Sequence, residues 1–292
     1  MNPKQALPRI ALVIAALGWG SSPVATRFLS SDQNFWMLLT FRFAPSLVVI
    51  GLIYIFLRKI PKIDNWNIWS VLAVSLIGGL GYNGFVTAAL YVSAATPVGI
   101  ALTSEPLWIL LLEAIFVSRV FTKSMIVGML LAFLGTIIAT VTSSHGGSNV
   151  LLGVVLAMLG TFCWAIYTVW GANWRANSFD KTAFMVLFST PVSVIGALII
   201  GFQVSSVHMM ASGWIAVLAL SLGSTVIAMT FWNYGAHGLG PRLSAPFLYL
   251  QPISTIGLSI LLLGESINIL QLGGLLVIVI GLVISQRDVA IG

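Results

Sequence analysis

Four charged residues lie inside long apolar stretches of this sequence, where a charge needs a physical reason. They are Arg27, Arg42, Glu105 and Glu113. Burying a charge in a hydrocarbon layer costs at least about 2.5 kcal/mol on insertion scales, so such side chains usually face a polar cavity or a charged partner. Arg27 and Glu113 lie near the ends of their stretches, where a long side chain can extend to the membrane interface. Arg42 and Glu105 lie deeper, so either they bind a substrate or a coupling ion, or they form an ion pair with each other that holds two helices together.

Three tryptophans favour a binding site at the same depth. Tryptophan is usually enriched at the two membrane interfaces, but Trp19, Trp108 and Trp164 lie near the middle of their stretches. Trp108 also lies about one helical turn from Glu105, on the same side of that helix. Aromatic faces around a carboxylate suit a cationic or zwitterionic group, and packing is the alternative role for these rings.

No arrangement of residues typical of an enzyme, a metal site or a nucleotide site is found in the sequence. The segment GLGYNG, residues 79 to 84, has GxGxxG spacing, but that fingerprint requires a strand before it and a helix after it. Its glycines are therefore predicted to be close-packing surfaces between membrane helices. The three histidines lie in or beside different loops, and the single cysteine, Cys163, can form no internal disulfide. We therefore predict a protein without catalytic activity, metal or cofactor.

The elements that position these residues are predicted from composition. Of the 292 residues, 59% are hydrophobic and only 7% are charged, whereas about a quarter of a soluble domain is charged. A bilayer requires about 20 apolar residues per helix, and ten such stretches are present, called span 1 to span 10. They run over residues 10–29, 35–57, 67–90, 97–117, 124–142, 150–172, 182–202, 212–235, 243–263 and 269–285. The predicted fold class is an all-α integral membrane protein of ten transmembrane helices.

The basic residues are distributed unevenly between the two sides of this arrangement. Arg27 and Arg42 lie within spans, and the other 11 of the 13 Lys and Arg residues lie at the termini or after even-numbered spans. The eleven are Lys4, Arg9, Arg58, Lys59, Lys62, Arg119, Lys123, Arg175, Lys181, Arg242 and Arg287. The positive-inside rule therefore places both termini in the cytoplasm. Because these residues lie between apolar spans and form no stripe on a folded surface, the net charge of +6 does not indicate nucleic-acid binding.

The second half of the sequence repeats the proline and glycine positions of the first. The matched pairs at a spacing of 146 are Pro45 with Pro191, Pro106 with Pro252, Gly128 with Gly274 and Gly135 with Gly281, and Trp19 pairs with Trp164 at 145. The pattern predicts two repeats, residues 1–146 and 147–292. Each repeat has five spans, an odd number, so the second enters the membrane from the opposite face. Such inverted repeats are typical of secondary transporters, whose substrate site lies near the midplane. Gln251 is then the counterpart of Glu105, and each directly precedes a proline that can kink its helix.

Several segments carry a resemblance to a known family. They are LGWGSSPVATRF in span 1, FRFAPSLV in span 2, and the twin segments that begin SEPLWILLLEAIF and LQPISTIGLSILLLGE. These segments resemble the drug/metabolite transporter superfamily, of the EamA-like ten-helix kind, and above all its bacterial exporters of aromatic and other neutral amino acids. The resemblance implies a cavity lined by spans 3, 8 and 9. Their residues with polar tips are Tyr82, Asn83, Trp232, Asn233 and Tyr249. The sequence departs from the family pattern in one respect. The acidic residue after the fourth span of each repeat is present as Glu265 in the second repeat, and Arg119 replaces it in the first.

The predicted function is export of amino acids, aromatic or other neutral ones, or of related small metabolites across a bacterial inner membrane by alternating access. A phosphorylated substrate would require several Lys or Arg residues at mid-depth, and only Arg42 is there. Multidrug or cationic-compound export is one alternative, and a channel or scaffold without a transport cycle is another. The predicted substrate site comprises Trp19, Arg42, Tyr82, Asn83, Glu105, Trp108, Trp164, Trp232, Tyr249 and Gln251. The expected partners are a small-molecule substrate and membrane lipid, with proton coupling and uncoupled transport both left open.

Overall fold

A computed structural model describes residues 3–30, 33–93, 95–117, 122–141, 149–200, 210–263 and 269–285, and the statements below concern these residues. Arg119, Glu265 and the side chain of Arg27 lie outside them. Every regular element described is helical, and the helices match the ten predicted spans in order. Their bounds are Pro3–Trp19 and Ser21–Ser30 in span 1; Phe35–Leu57 in span 2; Ile68–Leu76, Ile77–Gly81 and Tyr82–Val92 in span 3; Ala95–Leu102 and Glu105–Phe116 in span 4; Lys123–Val141 in span 5; Val150–Gly171 in span 6; Ser178–Ile200 in span 7; Ala211–Leu218, Ala219–Ala228 and Met229–Leu239 in span 8; Pro241–Ser244, Ala245–Leu250 and Gln251–Leu263 in span 9; and Ile269–Ser285 in span 10.

The length and the outer surface of these helices fit a lipid bilayer. Spans 1, 2, 3, 6, 7 and 8 are each long and apolar enough to cross a membrane, and spans 5 and 10 form shorter apolar helices. Large apolar side chains point outward from the bundle, for example Leu151, Ile199 and Leu276, which are 59–76% exposed. Soluble proteins rarely expose large continuous apolar surfaces of this kind. The predicted all-α membrane fold is confirmed.

Span 1 is interrupted at Gly20, where the chain passes close to span 9. A Cβ atom on Gly20 would lie 2.3 Å from the Cβ atom of Ser254, so only glycine allows this approach. Carbonyl oxygens at the break accept hydrogen bonds from span 9, because Ser254 donates to the oxygen of Leu17 and Thr255 donates to that of Gly20 at 3.0 Å. Trp19, directly before the break, packs against the largest buried cluster of the bundle.

Prolines interrupt spans 4 and 9 at equivalent positions. Pro106 cannot donate to the carbonyl of the residue four places earlier, and its ring collides with that group. The first helix of span 4 accordingly ends at Leu102, and the second begins at Glu105. In span 9 the six residues before Gln251 form a 3₁₀ helix, and the regular helix begins at Gln251. Glu105 and Gln251 therefore occupy the same place, each as the first residue of a helix in the interior of a span.

Spans 5 and 10 cross through glycines, and their contacts show the symmetry of the fold. A Cβ atom on Gly128 would lie 2.5 Å from the carbonyl oxygen of Gly281, and one on Gly135 would lie 2.8 Å from that of Gly274. The two helices therefore run antiparallel. Since Gly274 and Gly281 are the repeat counterparts of Gly128 and Gly135, exchanging the two helices reproduces the same contacts. This exchange is a two-fold rotation about an axis perpendicular to the helices, as inverted repeats require.

Span 7 begins at Ser178, four residues earlier than the predicted residue 182, and this corrects the position of Lys181. The side chain of Asn177 accepts a hydrogen bond from the backbone N–H of Asp180 at 2.8 Å, which is the bond of an N-terminal cap and allows the polar residues after it to join the helix. Lys181, predicted in a loop, is only 3% exposed. Glu113, expected to extend to the interface, is also buried, at 5% exposure.

Candidate functional site

Four aromatic rings meet in the interior of the bundle, and we call them the aromatic cluster: Trp19, Tyr82, Trp164 and Trp232. The ring of Trp19 meets that of Trp164 edge to face, with centroids 5.0 Å apart, and lies 5.4 Å from that of Trp232. Trp164 in turn lies 5.8 Å from Trp232 and 5.3 Å from Tyr82. Trp19 and Trp164 are the pair matched in the predicted repeat, and the structure brings them into contact.

Irregular backbone in spans 3 and 8 accompanies this cluster. Both spans contain a π-helical segment at counterpart places, Ile77–Gly81 and Ala219–Ala228, and such segments are frequent at functional sites. The first ends directly before Tyr82. A Cβ atom on Gly79 would lie 2.4 Å from the hydroxyl oxygen of Ser189, so span 7 approaches span 3 closely. This is the packing role predicted for the glycines of the GLGYNG segment.

Glu105 lies beside the aromatic cluster, and its side chain is 3% exposed. The Tyr82 hydroxyl and the Gln251 side-chain amide are polar groups near its carboxylate, and its Oε1 atom is buried without a hydrogen bond. The contact with Gln251 brings two repeat counterparts together, as the pair Trp19 and Trp164 also does. A buried carboxylate oxygen without a donor is unfavourable, so a cationic group bound at this atom would be stabilised.

Arg42 also lies near Tyr82, but it is not paired with Glu105. Its Nη1 atom donates to the hydroxyl of Ser224 at 3.2 Å, and its Nη2 atom donates to that of Ser22. Arg42 and Glu105 each interact electrostatically with Tyr82, and no ion pair joins them. The ion pair considered as the structural alternative is therefore absent from this structure. The two serines use two of the five guanidinium donors, which leaves N–H groups for an anion.

Several polar atoms of the predicted site are buried without a hydrogen-bond partner among the described residues. They are Glu105 Oε1, Trp108 Nε1, Trp164 Nε1, Trp232 Nε1 and the hydroxyl of Tyr249. Roughly 90% or more of buried polar groups in proteins are paired, and an unpaired one costs about 1–3 kcal/mol. The Trp19 indole, in contrast, donates to the backbone oxygen of Ser224 at 2.9 Å. Three of these atoms, Glu105 Oε1, Trp164 Nε1 and Trp232 Nε1, belong to Glu105 and the aromatic cluster, where a polar ligand can complete their hydrogen bonding.

Three of the predicted residues make their principal contacts elsewhere. Asn83 turns back on its own helix and donates to the backbone oxygen of Gly79 at 2.8 Å. Trp108 packs edge to face on Phe162, with centroids 5.4 Å apart. Tyr249 is 1% exposed and belongs to a separate apolar cluster. The residues that the structure brings together are Trp19, Arg42, Tyr82, Glu105, Trp164, Trp232 and Gln251.

Tyr167 adjoins the site although sequence reasoning did not single it out. Its ring stacks on Trp164, with centroids 5.4 Å apart, and its hydroxyl donates to Asn233 Oδ1 at 2.9 Å. Asn233 in turn donates to the hydroxyl of Thr182 at 3.2 Å. Tyr167 lies three residues after Trp164, and helical spacing places the two on one face, so this residue could have been found. Ser22 and Ser224, which bind Arg42, have no comparable spacing that would have identified them from the sequence.

Comparison with known proteins gives a consistent result. The sequence model of the EamA-like transporter family matches residues 8–141 and 151–286. The "Uncharacterized inner membrane transporter YedA" of Escherichia coli K12 is 26% identical over 97% of this chain and 92% of its own. The "Uncharacterized transporter YyaM" of Bacillus subtilis is 22% identical, covering 86% and 84%, and the "Aromatic amino acid exporter YddG" of Ancylobacter novellus is 26% identical, covering 64% of both. A solved crystal structure with 19% identity superposes with a TM-score of 0.79 over 97% of each chain, which shows a shared fold.

Proposed function

The chain belongs to the EamA-like transporter family and is a transporter, not an enzyme, and we propose that it exports amino acids, aromatic or other neutral ones, or related small metabolites. The proposal includes alternating access of one central site, two inverted repeats at residues 1–146 and 147–292, and cytoplasmic termini in a bacterial inner membrane. The outward direction is supported by the relative named as an aromatic amino acid exporter.

One observation carries this proposal. Two buried groups of opposite charge, Arg42 and Glu105, both lie beside Tyr82 without pairing with each other. A neutral amino acid presents a carboxylate and an ammonium group a short distance apart. The free guanidinium donors of Arg42 suit the carboxylate, and the unpartnered Oε1 atom of Glu105 suits the ammonium group. The site therefore offers a positive group to the carboxylate of a zwitterion and a negative group to its ammonium group.

The aromatic cluster supports an apolar or aromatic substrate side chain. Its rings lie beside Arg42 and Glu105, and the indole N–H groups of Trp164 and Trp232 are unpartnered. Aromatic pairs at centroid distances of 4.5–7 Å are favourable, so the ring of a bound aromatic residue can pack against the cluster. This is the feature that relates the site to aromatic amino acids in particular.

The position of the site fits alternating access. Glu105 with Gln251, and Trp19 with Trp164, are pairs of repeat counterparts that contact each other. A site on the axis between inverted repeats can be exposed to either side when one repeat rocks against the other. A scaffold has no need of charged groups at this place.

The proposal is tested by counterflow of labelled amino acids in proteoliposomes, with and without a pH gradient. We expect saturable exchange of neutral amino acids, with the highest affinity for aromatic ones. Arg42→Gln is expected to weaken counterflow of phenylalanine and to have little effect on phenethylamine, which lacks the carboxylate. Flux that never saturates would indicate a channel, and no flux of any panel member would support a scaffold.

A second candidate function is export of cationic drugs, favoured by the carboxylate of Glu105 beside aromatic rings. A buried guanidinium next to the same site repels a permanent cation, and Arg42 is in that position. Labelled tetraphenylphosphonium, added to the same counterflow panel, distinguishes the two functions. Exchange of this cation in preference to amino acids would support the drug exporter.

A further inference from the structure

Lys181 is a buried cation that the central site does not use. It lies in the first turn of span 7 with 3% of its surface exposed. A buried lysine is expected to have an acidic partner, but none of the described residues forms an ion pair with it. The carboxylate of the neighbouring Asp180 is directed elsewhere and accepts hydrogen bonds from Tyr54 and Asn177.

The ammonium group of Lys181 has spare hydrogen-bonding capacity. Its Nζ atom donates to the backbone oxygen of Gly171 at 2.8 Å and lies 6.0 Å from the centre of the Trp174 ring. An ammonium group has three N–H donors, so one hydrogen bond leaves two. The imidazole of His237 interacts electrostatically with Lys181 and brings no negative charge.

A cleft beside Lys181 contains a second polar group without a partner. The side chains and backbone that line it are those of Tyr167, Thr168, Gly171, Ala172, Lys181, Trp232, Asn233, Ala236 and His237. Thr168 is 3% exposed, and its hydroxyl oxygen is buried without a hydrogen bond. His237 is exposed at the mouth of the cleft. The free space is about that of one small polar group, such as a carboxylate oxygen.

The cleft adjoins the central site through Trp232 and Tyr167. Trp232 lines the cleft and is also a member of the aromatic cluster. The chain of hydrogen bonds from Tyr167 through Asn233 to Thr182 lies between the two regions. The cleft is at the end of the bundle that contains the connection between spans 6 and 7, predicted to be cytoplasmic from its basic residues.

We propose that Lys181 and Thr168 form a second binding site, which takes the carboxylate of the substrate at the cytoplasmic entrance before the substrate passes Trp232. The inference rests on the proposed function, because it assumes a substrate with a carboxylate. Lys181 supplies the charge and two donors, and Thr168 supplies a third. His237 is the polar neighbour for the part of the substrate that stays at the mouth.

The rival role for Lys181 is that of a helix cap. Gly171 is the last residue of span 6, and a lysine that donates to a terminal carbonyl stabilises a helix end. A cap needs only the bond to Gly171 and predicts no effect of anions. The unpartnered hydroxyl of Thr168 has no part in it.

Thermal unfolding of the purified full-length protein in sodium acetate tests the site without any transport. A ligand that binds the folded state raises the midpoint of unfolding, so acetate is expected to raise it relative to sodium chloride at equal ionic strength. Lys181→Met and Thr168→Val should reduce this shift, and Lys181→Arg should keep most of it. The matched control is Lys59→Met, since Lys59 is an exposed lysine in a connection. An equal shift in Lys181→Met, no shift in wild type, or an equal effect of chloride would overturn the proposal.

Counterflow in oriented vesicles provides the second measurement. Lys181→Met is expected to raise the KM for phenylalanine at the cytoplasmic face about tenfold, as loss of a charged hydrogen bond predicts, and to leave the external KM unchanged. Equal changes at both faces would contradict an entrance site. If wild type binds acetate through Lys181 but exchanges no amino acid, the proposed function fails and the anion site is supported.

Discussion

Glu105→Gln removes the negative charge from the central site and keeps the shape of the side chain. Because Glu105 Oε1 has no partner in the structure, the ammonium group of a substrate can form a charged hydrogen bond with it. Such a bond contributes about 1.5–3 kcal/mol, and each 1.4 kcal/mol corresponds to about a tenfold change in affinity. The KM for phenylalanine counterflow is therefore expected to rise roughly 10- to 100-fold.

Glu105→Gln is also expected to leave the folded protein intact. Breaking a buried ion pair costs about 3–5 kcal/mol, but Arg42 is held by Ser22 and Ser224 and has no pair with Glu105 to lose. The variant should purify as a monodisperse species with a midpoint of unfolding no lower than that of wild type. A large loss of stability, with near-normal flux per folded molecule, would show that Glu105 has a structural role.

The repeat provides a matched control for this substitution. Gln251 is the counterpart of Glu105 and contacts it, so the double variant Glu105→Gln with Gln251→Glu returns a carboxylate to the same place. We expect it to recover part of the lost affinity, whereas Gln251→Glu alone should not improve on wild type. Near-normal flux and unchanged stability in Glu105→Gln would refute the reasoning, and the site would then be sought around Trp108 and Tyr249.

Three further predictions follow from the geometry. Arg42→Lys keeps the charge but loses the planar fork that binds carboxylates through two bonds, so the KM for phenylalanine counterflow should rise while the uptake of phenethylamine is unchanged. Gly128→Ala places a Cβ atom 2.3 Å from the backbone nitrogen of Ser285, so the thermal unfolding midpoint should fall by an amount equivalent to about 1–3 kcal/mol, whereas Gly273→Ala, with nothing within 4 Å of the added atom, should have little effect. A cysteine introduced near Ser148, a position outside the described residues, should react with an impermeant thiol reagent added to whole cells, and reaction only after permeabilisation would contradict the predicted topology.

The contact between Glu105 and Gln251 was predictable because it follows from the repeat. Pro106 and Pro252 define where spans 4 and 9 are interrupted, because each lacks a backbone N–H and its ring collides with the carbonyl four residues earlier. An inverted repeat places counterparts at equal depth, so residues near the axis meet. The pairing of Trp19 with Trp164 follows in the same way.

The partners of Arg42 and Lys181 were not predictable in this way. From the sequence, Arg42 had Glu105 as its only buried acidic candidate at the same depth, and the serines that bind it carry no distinctive pattern. Lys181 was placed in a loop because the apolar stretch begins after it, although Asn177 caps the helix earlier and draws Lys181 into the bundle. Both cases concern polar side chains at positions where neighbouring spans supply the partner.

The ten helices, their order and the two-fold repeat follow from the sequence, because an apolar segment of about 20 residues in a bilayer satisfies its own backbone hydrogen bonds as a helix. Which faces of those helices meet depends on how the bundle packs. A helix that is apolar on all sides has no stripe that defines its rotation, and spans 2 and 7 are apolar almost throughout. Their rotation is set by close contacts, such as Gly196 against Trp36, and that rotation turns Arg42 towards Ser224 and Lys181 towards Gly171.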